Sequence, residues 1–197
     1  MLQEILKSAT KDNHDELESL MFVNEIMNKT LTLDQYKTLL ATNYIVHSAI
    51  ESKLHDALDD QLKDKLHITQ RDKLAALELD LAEMEMDKAE LDSLDFDFLK
   101  LKDKNNASSL GAMYVLEGAT LGGNVIRKKL RANPVFENLK LNYYSVYDQQ
   151  LMPNWLSFVG VLNSSVPEED FALAEESAVD MFKHIAEVSK TVKTILA

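Results

Sequence analysis

The sequence predicts an all-α fold, a multi-helix bundle in a single domain over residues 1–197, and three observations point there. Five glycines and three prolines are too few for the turns of an all-β domain. The common residues are Leu, Ala, Lys, Glu and Asp, most of them good helix formers. Apolar residues recur at three- and four-residue steps through most of the chain. The length suits one substantial core, and 46 % hydrophobic with 27 % charged residues is a globular balance.

A first helix is expected over Leu2 to Leu20, where Leu6, Thr10, Asn13, His14, Leu17 and Leu20 share a stripe. Thr32 and Gln35 form a capping-box pattern that opens a longer helix, with Tyr36, Leu39, Leu40, Asn43, Tyr44, His47, Ile50 and Leu54 facing inward. The charged stretch DDQLKDKLHITQ reads as loop. A third helix is expected near Arg71 to Glu85, with Leu74, Leu77, Leu81 and Met84 on its inner face. From Asp87 to Asn106 the periodicity weakens, which predicts loop with short helical pieces. Asn106 or Ser108 is placed to cap a helix from Leu110 onward, and Pro134 ends or interrupts the helical pattern beyond it. An aromatic turn then leads to a buried helix around Trp155. Ser165 caps the last helix, with Pro167, Glu168, Glu169 and Asp170 in its first turn. The sum is a bundle of about seven or eight helices, in which ligand sites lie between facing helices.

The absence of cysteine excludes disulfides, zinc thiolates, thiolate-bound haem and a cysteine nucleophile. The opening MLQEILKSATKDNH has no apolar signal core and no run approaches membrane-span length, so the expectation is a cytoplasmic protein with no membrane partner. A formal charge of −12 argues against nucleic-acid binding, and any anionic ligand needs a local basic patch.

Two features could carry chemistry. Gly118, Gly122 and Gly123 lie within one apolar helical pattern, VLEGATLGGNVI, although each interior glycine costs about 1 kcal/mol against alanine. Close helix packing or a kink is one reading. The other is that Gly118 and Gly122, four residues apart, clear one helix face so that a flat ligand lies against the backbone. His14 is the second feature. A histidine on a buried stripe is usually a satisfied core residue. Here, however, Lys7 and Lys11 could meet two carboxylates, and Glu18 one turn on could hold the imidazole's other nitrogen. His47 competes on the second helix, whereas His55, His67 and His184 sit in polar or ambiguous surroundings. A di-iron carboxylate site would use two Glu-x-x-His pairs, which the sequence lacks; Glu51 and His55 offer only a degenerate version.

These residues resemble a known family. LKSATKDNHDELE is similar to the proximal helix of heme oxygenases, YKTLLATNYIVHSAIESKL to their second core helix, DKLAALELDLAEM to the next, and GAMYVLEGATLGGNVI to the distal helix of bacterial members. The four blocks run in order from Leu6 to Ile126, with a weaker match from Trp155 to Phe182. The resemblance implies haem held between two helices, with His14 on the iron. Gly118, Gly122 and Gly123 would be the catalytic face, Lys7, Lys11 and Thr10 would border the propionate side, and Glu18 would bond the proximal imidazole. It implies ring opening to biliverdin, carbon monoxide and ferrous iron with oxygen and external electrons. A haem-storage protein with little turnover and a di-iron oxidase on a related bundle are the alternatives. Two positions depart from the family: Ala119 stands where mammalian-type members carry aspartate and many bacterial ones serine, and Val159 where mammalian-type members carry arginine. Arg127, Lys128, Lys129 and Arg131, four positive charges in five residues, would suit an acidic ferredoxin or flavodoxin served by its reductase.

Overall fold

The computed structural model describes residues 1–196 and is helical, with no strand among them. Ten α-helices appear where about seven or eight were expected, joined by short 3₁₀ turns. They are α1 (Leu2–Ala9), α2 (Lys11–Leu20), α3 (Val23–Asn28), α4 (Leu33–Asp56), α5 (Asp60–Leu66), α6 (Leu74–Glu83), α7 (Lys88–Asp92), α8 (Asn106–Arg131), α9 (Leu151–Ser165) and α10 (Phe171–Ile195). No described helix is long and apolar enough to cross a membrane.

The centre is a three-helix contact of α4, α8 and α10. Small residues set the spacing where α8 meets α10: Gly111 lies against Ala174, and Ala107 and Ser108 on α8 and Ser177 and Ala178 on α10 are buried as well. A Cβ on Gly111 would collide with the Ala174 backbone, so this glycine is required by close approach. Around this contact α4 contributes Tyr36, Leu39, Leu40, Tyr44, Ile50 and Leu54, as its periodicity predicts.

The start of α4 matches the sequence closely. Thr32 accepts from the Gln35 N–H at 3.2 Å while the Gln35 side chain accepts from the Thr32 N–H at 3.0 Å. Elsewhere the boundaries shift. The expected first helix is broken at Thr10, whose hydroxyl donates back to the Leu6 carbonyl at 2.7 Å; such a bond bends helices. DDQLKDKLHITQ is not loop: Asp59 caps α5 through the Leu62 N–H, and Leu62 and Leu66, one turn apart, are buried. Arg71 and Lys73 lie before α6 rather than in it. Asn105, not Asn106 or Ser108, caps α8, accepting from the Ser108 N–H at 2.8 Å. Ser165 ends α9 instead of capping α10, and the acids Glu168–Asp170 form a separate 3₁₀ turn. The helix around Trp155 is only partly buried, with Phe158 and Leu162 carrying its core contact.

Candidate functional site

α2 is unlike its neighbours, because none of its side chains is fully buried. It packs against α10, which also packs against α8, so α2 and α8 stand apart with α10 behind them. Between them lies a cavity of about 560 Å³, within the range of small-molecule and cofactor sites. Of the stripe predicted for the first helix, Leu6 enters the core while Thr10, His14 and Leu17 line this space, which is why His14 and Leu17 are incompletely covered.

Most of the predicted site residues converge here. Lys7, Thr10, Lys11, His14 and Glu18 line the α1–α2 side, and Gly118 and Gly122 line the α8 side. His14 is 57 % exposed at its side chain, and its ring meets the edge of Phe182 at 6.0 Å. Its Nδ1 lies 3.8 Å from carboxylate oxygens of both Asp15 and Glu18, so Glu18 is one of two acids around that nitrogen. The Thr10 hydroxyl is committed to Leu6, leaving Thr10 to shape the wall. A Cβ on Gly122 would meet nothing within 4 Å, and one on Gly118 only the Trp155 ring at 3.8 Å. The α8 face is therefore bare toward the cavity. Gly123 is different: it is buried, does not line this cavity, and faces Tyr144, 3.4 Å from where its Cβ would stand.

His47 is the satisfied core histidine of the two candidates. It is 2 % exposed, with Nδ1 3.1 Å from Glu51 and Nε2 3.3 Å from the Tyr143 hydroxyl. Glu51 is thereby spent on His47 and on the Lys73 N–H at 3.0 Å, so it does not combine with His55 as the degenerate di-iron pair would require. Among the described residues the acids and histidines close enough to share an ion are His14, Asp15 and Glu18, all exposed on α2; a di-iron site would need ligands from facing helices.

Behind the α8 face lies a charge cluster that the sequence reading missed. Glu117 receives Arg71 Nη1 at 2.6 Å, Lys73 Nζ at 2.7 Å and the Tyr147 hydroxyl at 3.0 Å, all buried. Burial opposes the Glu117 charge, but Lys73 and Arg71 outweigh it and hold the carboxyl below its ordinary range. Burial likewise opposes Glu51, and His47 and Lys73 bring it down to about 2. Asp80, also buried, accepts from the Asn142 N–H at 2.8 Å and the Tyr143 N–H at 2.9 Å, fixing the aromatic turn that closes the cavity near Asn43. The signal present in the sequence was Glu117, the one charge in YVLEGATL, and Glu51, four residues after His47 on the same helix.

The basic run after the glycines is not uniform. Arg127 pairs with Asp148 at 3.2 Å, and Arg131 donates to the Glu137 and Lys140 carbonyls at 2.8 and 3.1 Å. Lys128 is exposed and Lys129 half-buried, and neither forms an ion pair with the described residues.

The heme oxygenase family model matches residues 1–191. The fold is similar to heme oxygenase from Leptospira interrogans, with a TM-score of 0.79 at 16 % identity over 96 % of this chain and 98 % of that one. It is also similar to heme oxygenase-1 from the cyanobacterium Synechocystis sp. PCC6803, solved in complex with heme, with a TM-score of 0.76 at 15 % identity over 99 % and 93 % of the two chains. No curated protein matches the sequence. A helical bundle with this cavity, matched by the family along nearly its whole length, identifies the chain as a member of the heme oxygenase family.

Proposed function

We propose that this chain opens the haem ring oxidatively, using oxygen and external electrons and releasing biliverdin, carbon monoxide and ferrous iron. One observation carries the reading: a single cavity is bordered by a histidine and two lysines on α1–α2 and by a bare glycine face on α8. The residues suit haem. A histidine nitrogen can take the iron, lysines can meet propionates, and the aromatic and aliphatic lining suits the porphyrin. Haem is substrate and reactive group at once; bound, it supplies the iron and the ring carbons that are oxidised.

The chain's own residues bind and orient it. His14 would hold the iron, and the Asp15 and Glu18 carboxylates, each 3.8 Å from Nδ1, orient its imidazole by their charge. Lys7 and Lys11 hold the propionates, with Thr10 between them in the wall. Gly118 and Gly122 let the helix backbone approach the ring, and Gly123 seats Tyr144 behind that face. Trp155 and Tyr144 also line the cavity and would limit the space left beside the bound ring.

The test is titration of the purified protein with haem, followed by reductant under air and identification of the pigment isomer. Release of a bile pigment supports the reading. A stable haem complex that gives no pigment favours the second reading, a haem-binding protein with little turnover. That reading draws on Ala119, which lines the cavity and offers no polar side chain. Electrons would come from a small acidic donor such as a ferredoxin or flavodoxin with its reductase. Lys128 and Lys129 would dock it, while Arg127 and Arg131 hold the local structure.

A further inference from the structure

Reduction of oxygen to water consumes protons, and Ala119 cannot deliver them. The polar groups that reach the cavity from the core come instead from α4 and the aromatic turn. Tyr143 and Asn43 both line it. Behind Tyr143 stand His47 and then Glu51 in one line: Glu51 Oε1 to His47 Nδ1 is 3.1 Å, His47 Nε2 to the Tyr143 hydroxyl 3.3 Å, and that hydroxyl to Asn43 Oδ1 3.1 Å. A carboxylate that fixes one imidazole nitrogen and leaves the other facing a hydroxyl is the arrangement by which an imidazole moves a proton through that hydroxyl. Tyr143 also lines a second, small cavity of about 20 Å³, room for one water, which it shares with Asn124, Arg127, Tyr147 and the exposed Asp148. Tyr143 thus borders both the large cavity and the small polar one.

We propose that Glu51, His47 and Tyr143 form a proton relay serving the large cavity, with Tyr143 as the group that touches the reacting ligand and His47 and Glu51 as the groups that charge and position it. The inference rests on the haem-degrading reading above. In the charged relay the imidazole carries a proton on each nitrogen, Nδ1–H donating to Glu51 and Nε2–H to the Tyr143 oxygen, whose own hydrogen lies toward Asn43. Tyr143 gives that hydrogen to an oxygen acceptor in the cavity as its oxygen takes the Nε2 proton. Tyrosine and imidazole both end neutral, and Nδ1–H stays on Glu51. The missing proton returns from solvent as hydronium by way of the small cavity, leaving neutral water there: Tyr143 takes it while passing the hydrogen that it shares with His47 back to Nε2. Two features favour coupled transfer through an intact phenol. Burial pushes the Tyr143 hydroxyl well above the ordinary tyrosine range, so it does not ionise alone. Asp80 clamps the Tyr143 backbone, so the hydroxyl keeps its place between His47 and Asn43, which lines the cavity.

The experiment compares wild type, Tyr143→Phe and His47→Gln as ferric haem complexes. Three quantities are measured for each: haem affinity, fluoride affinity of the complex, and single-turnover ring opening with a chemical reductant. Haem affinity should stay within about twofold in both variants. Tyr143→Phe removes a donor to the bound anion, and fluoride affinity should fall by about fivefold or more. His47→Gln keeps that hydroxyl, so fluoride affinity should hold within about twofold. Ring opening should fall at least about tenfold in both variants. A purely structural role would not divide fluoride affinity from turnover in this way. Wild-type rates in either variant, or unchanged fluoride affinity in Tyr143→Phe, would overturn the relay. A wild-type complex that yields no pigment would instead overturn the parent reading, and it is seen before any variant is compared.

Discussion

Gly122 offers the sharpest separation of fold from function. It lies inside α8, and a Cβ there meets nothing within 4 Å. Replacing it with alanine removes the conformational cost of an interior helix glycine, about 0.8–1.0 kcal/mol, without a clash. The ligand-free protein should gain about that much, and a chain of this size then melts about 2–4 °C higher. Leucine is nearly as good a helix former, so Gly122→Leu should also leave the empty protein folded. Its side chain, however, fills the space along the α8 face where the ring is proposed to lie. Haem affinity should fall at least tenfold in Gly122→Leu, about 1.4 kcal/mol, and less in Gly122→Ala. Thermal melts of the ligand-free proteins and haem titrations give both quantities. A control on the same helix is Gly111→Ala, whose Cβ runs into the Ala174 backbone; forcing α8 from α10 should cost about 1–3 kcal/mol. Wild-type haem affinity in Gly122→Leu, or a lower melting temperature in Gly122→Ala, would refute the assignment of this face to the ligand.

Three further outcomes are expected. His14→Ala should abolish the histidine-ligated haem spectrum while the ligand-free melt moves by less than about 0.5 kcal/mol, because the side chain is 57 % exposed; an unchanged spectrum would shift the ligand elsewhere. Reversing Lys128 and Lys129 to Glu should slow turnover with a protein electron donor at low salt and leave ascorbate-driven turnover intact, since steering fades as the Debye length shrinks from about 10 Å at 0.1 M. Equal slowing with both reductants would point to damage in α8. Acid should unfold the protein through its buried carboxylates. Glu51 sits at about 2 against an ordinary 4.5, so its stabilisation is present above that ordinary value and is lost as pH falls toward 2. Chemical denaturation between pH 5 and 2 should show a shallower decline in Glu51→Gln; an identical slope would show that Glu51 is not among the groups responsible.

The local code was readable and the long-range code was not. The Thr32–Gln35 capping box and the inward face of α4 come from neighbours three and four residues apart. The signal for α5 was equally local, an Asp59 cap with Leu62 and Leu66 one turn apart, but the charges around it, which face solvent, masked it. Two histidines on apolar stripes could not be told apart by spacing. The difference between them is tertiary: His47 meets Tyr143, 96 positions away, whereas His14 opens onto the cavity with the edge of Phe182 beside it. The charge cluster escaped for the same reason, since Glu117 lies 46 positions from Arg71 and 44 from Lys73. The basic run misled in a different way. Its four charges are adjacent in sequence, yet Arg127 and Arg131 point to partners supplied by the segment after Pro134.

The buried cluster is better explained by placement than by stability. Two carboxylates, Glu51 and Glu117, neutralise two cations, Arg71 and Lys73, but apolar residues of the same size often hold a core at least as well. Apolar residues cannot, however, fix direction. Glu117 is held from two sides, by Arg71 and Lys73, and Gly118 comes one residue later, about 100° around the helix. Pinning Glu117 into the core therefore sets the rotation of α8 at which Gly118 and Gly122 face the cavity. The same Arg71 donates to the Asn154 carbonyl at 3.1 Å, one residue before Trp155, and so registers α9 against α8 where Trp155 meets Gly118. Lys73 completes the set by donating its N–H to Glu51, whose other oxygen holds His47 beneath Tyr143. Four charges thus orient the bare helix face, the tryptophan that narrows it and the phenol that closes it, and none of the four needs to touch the ligand.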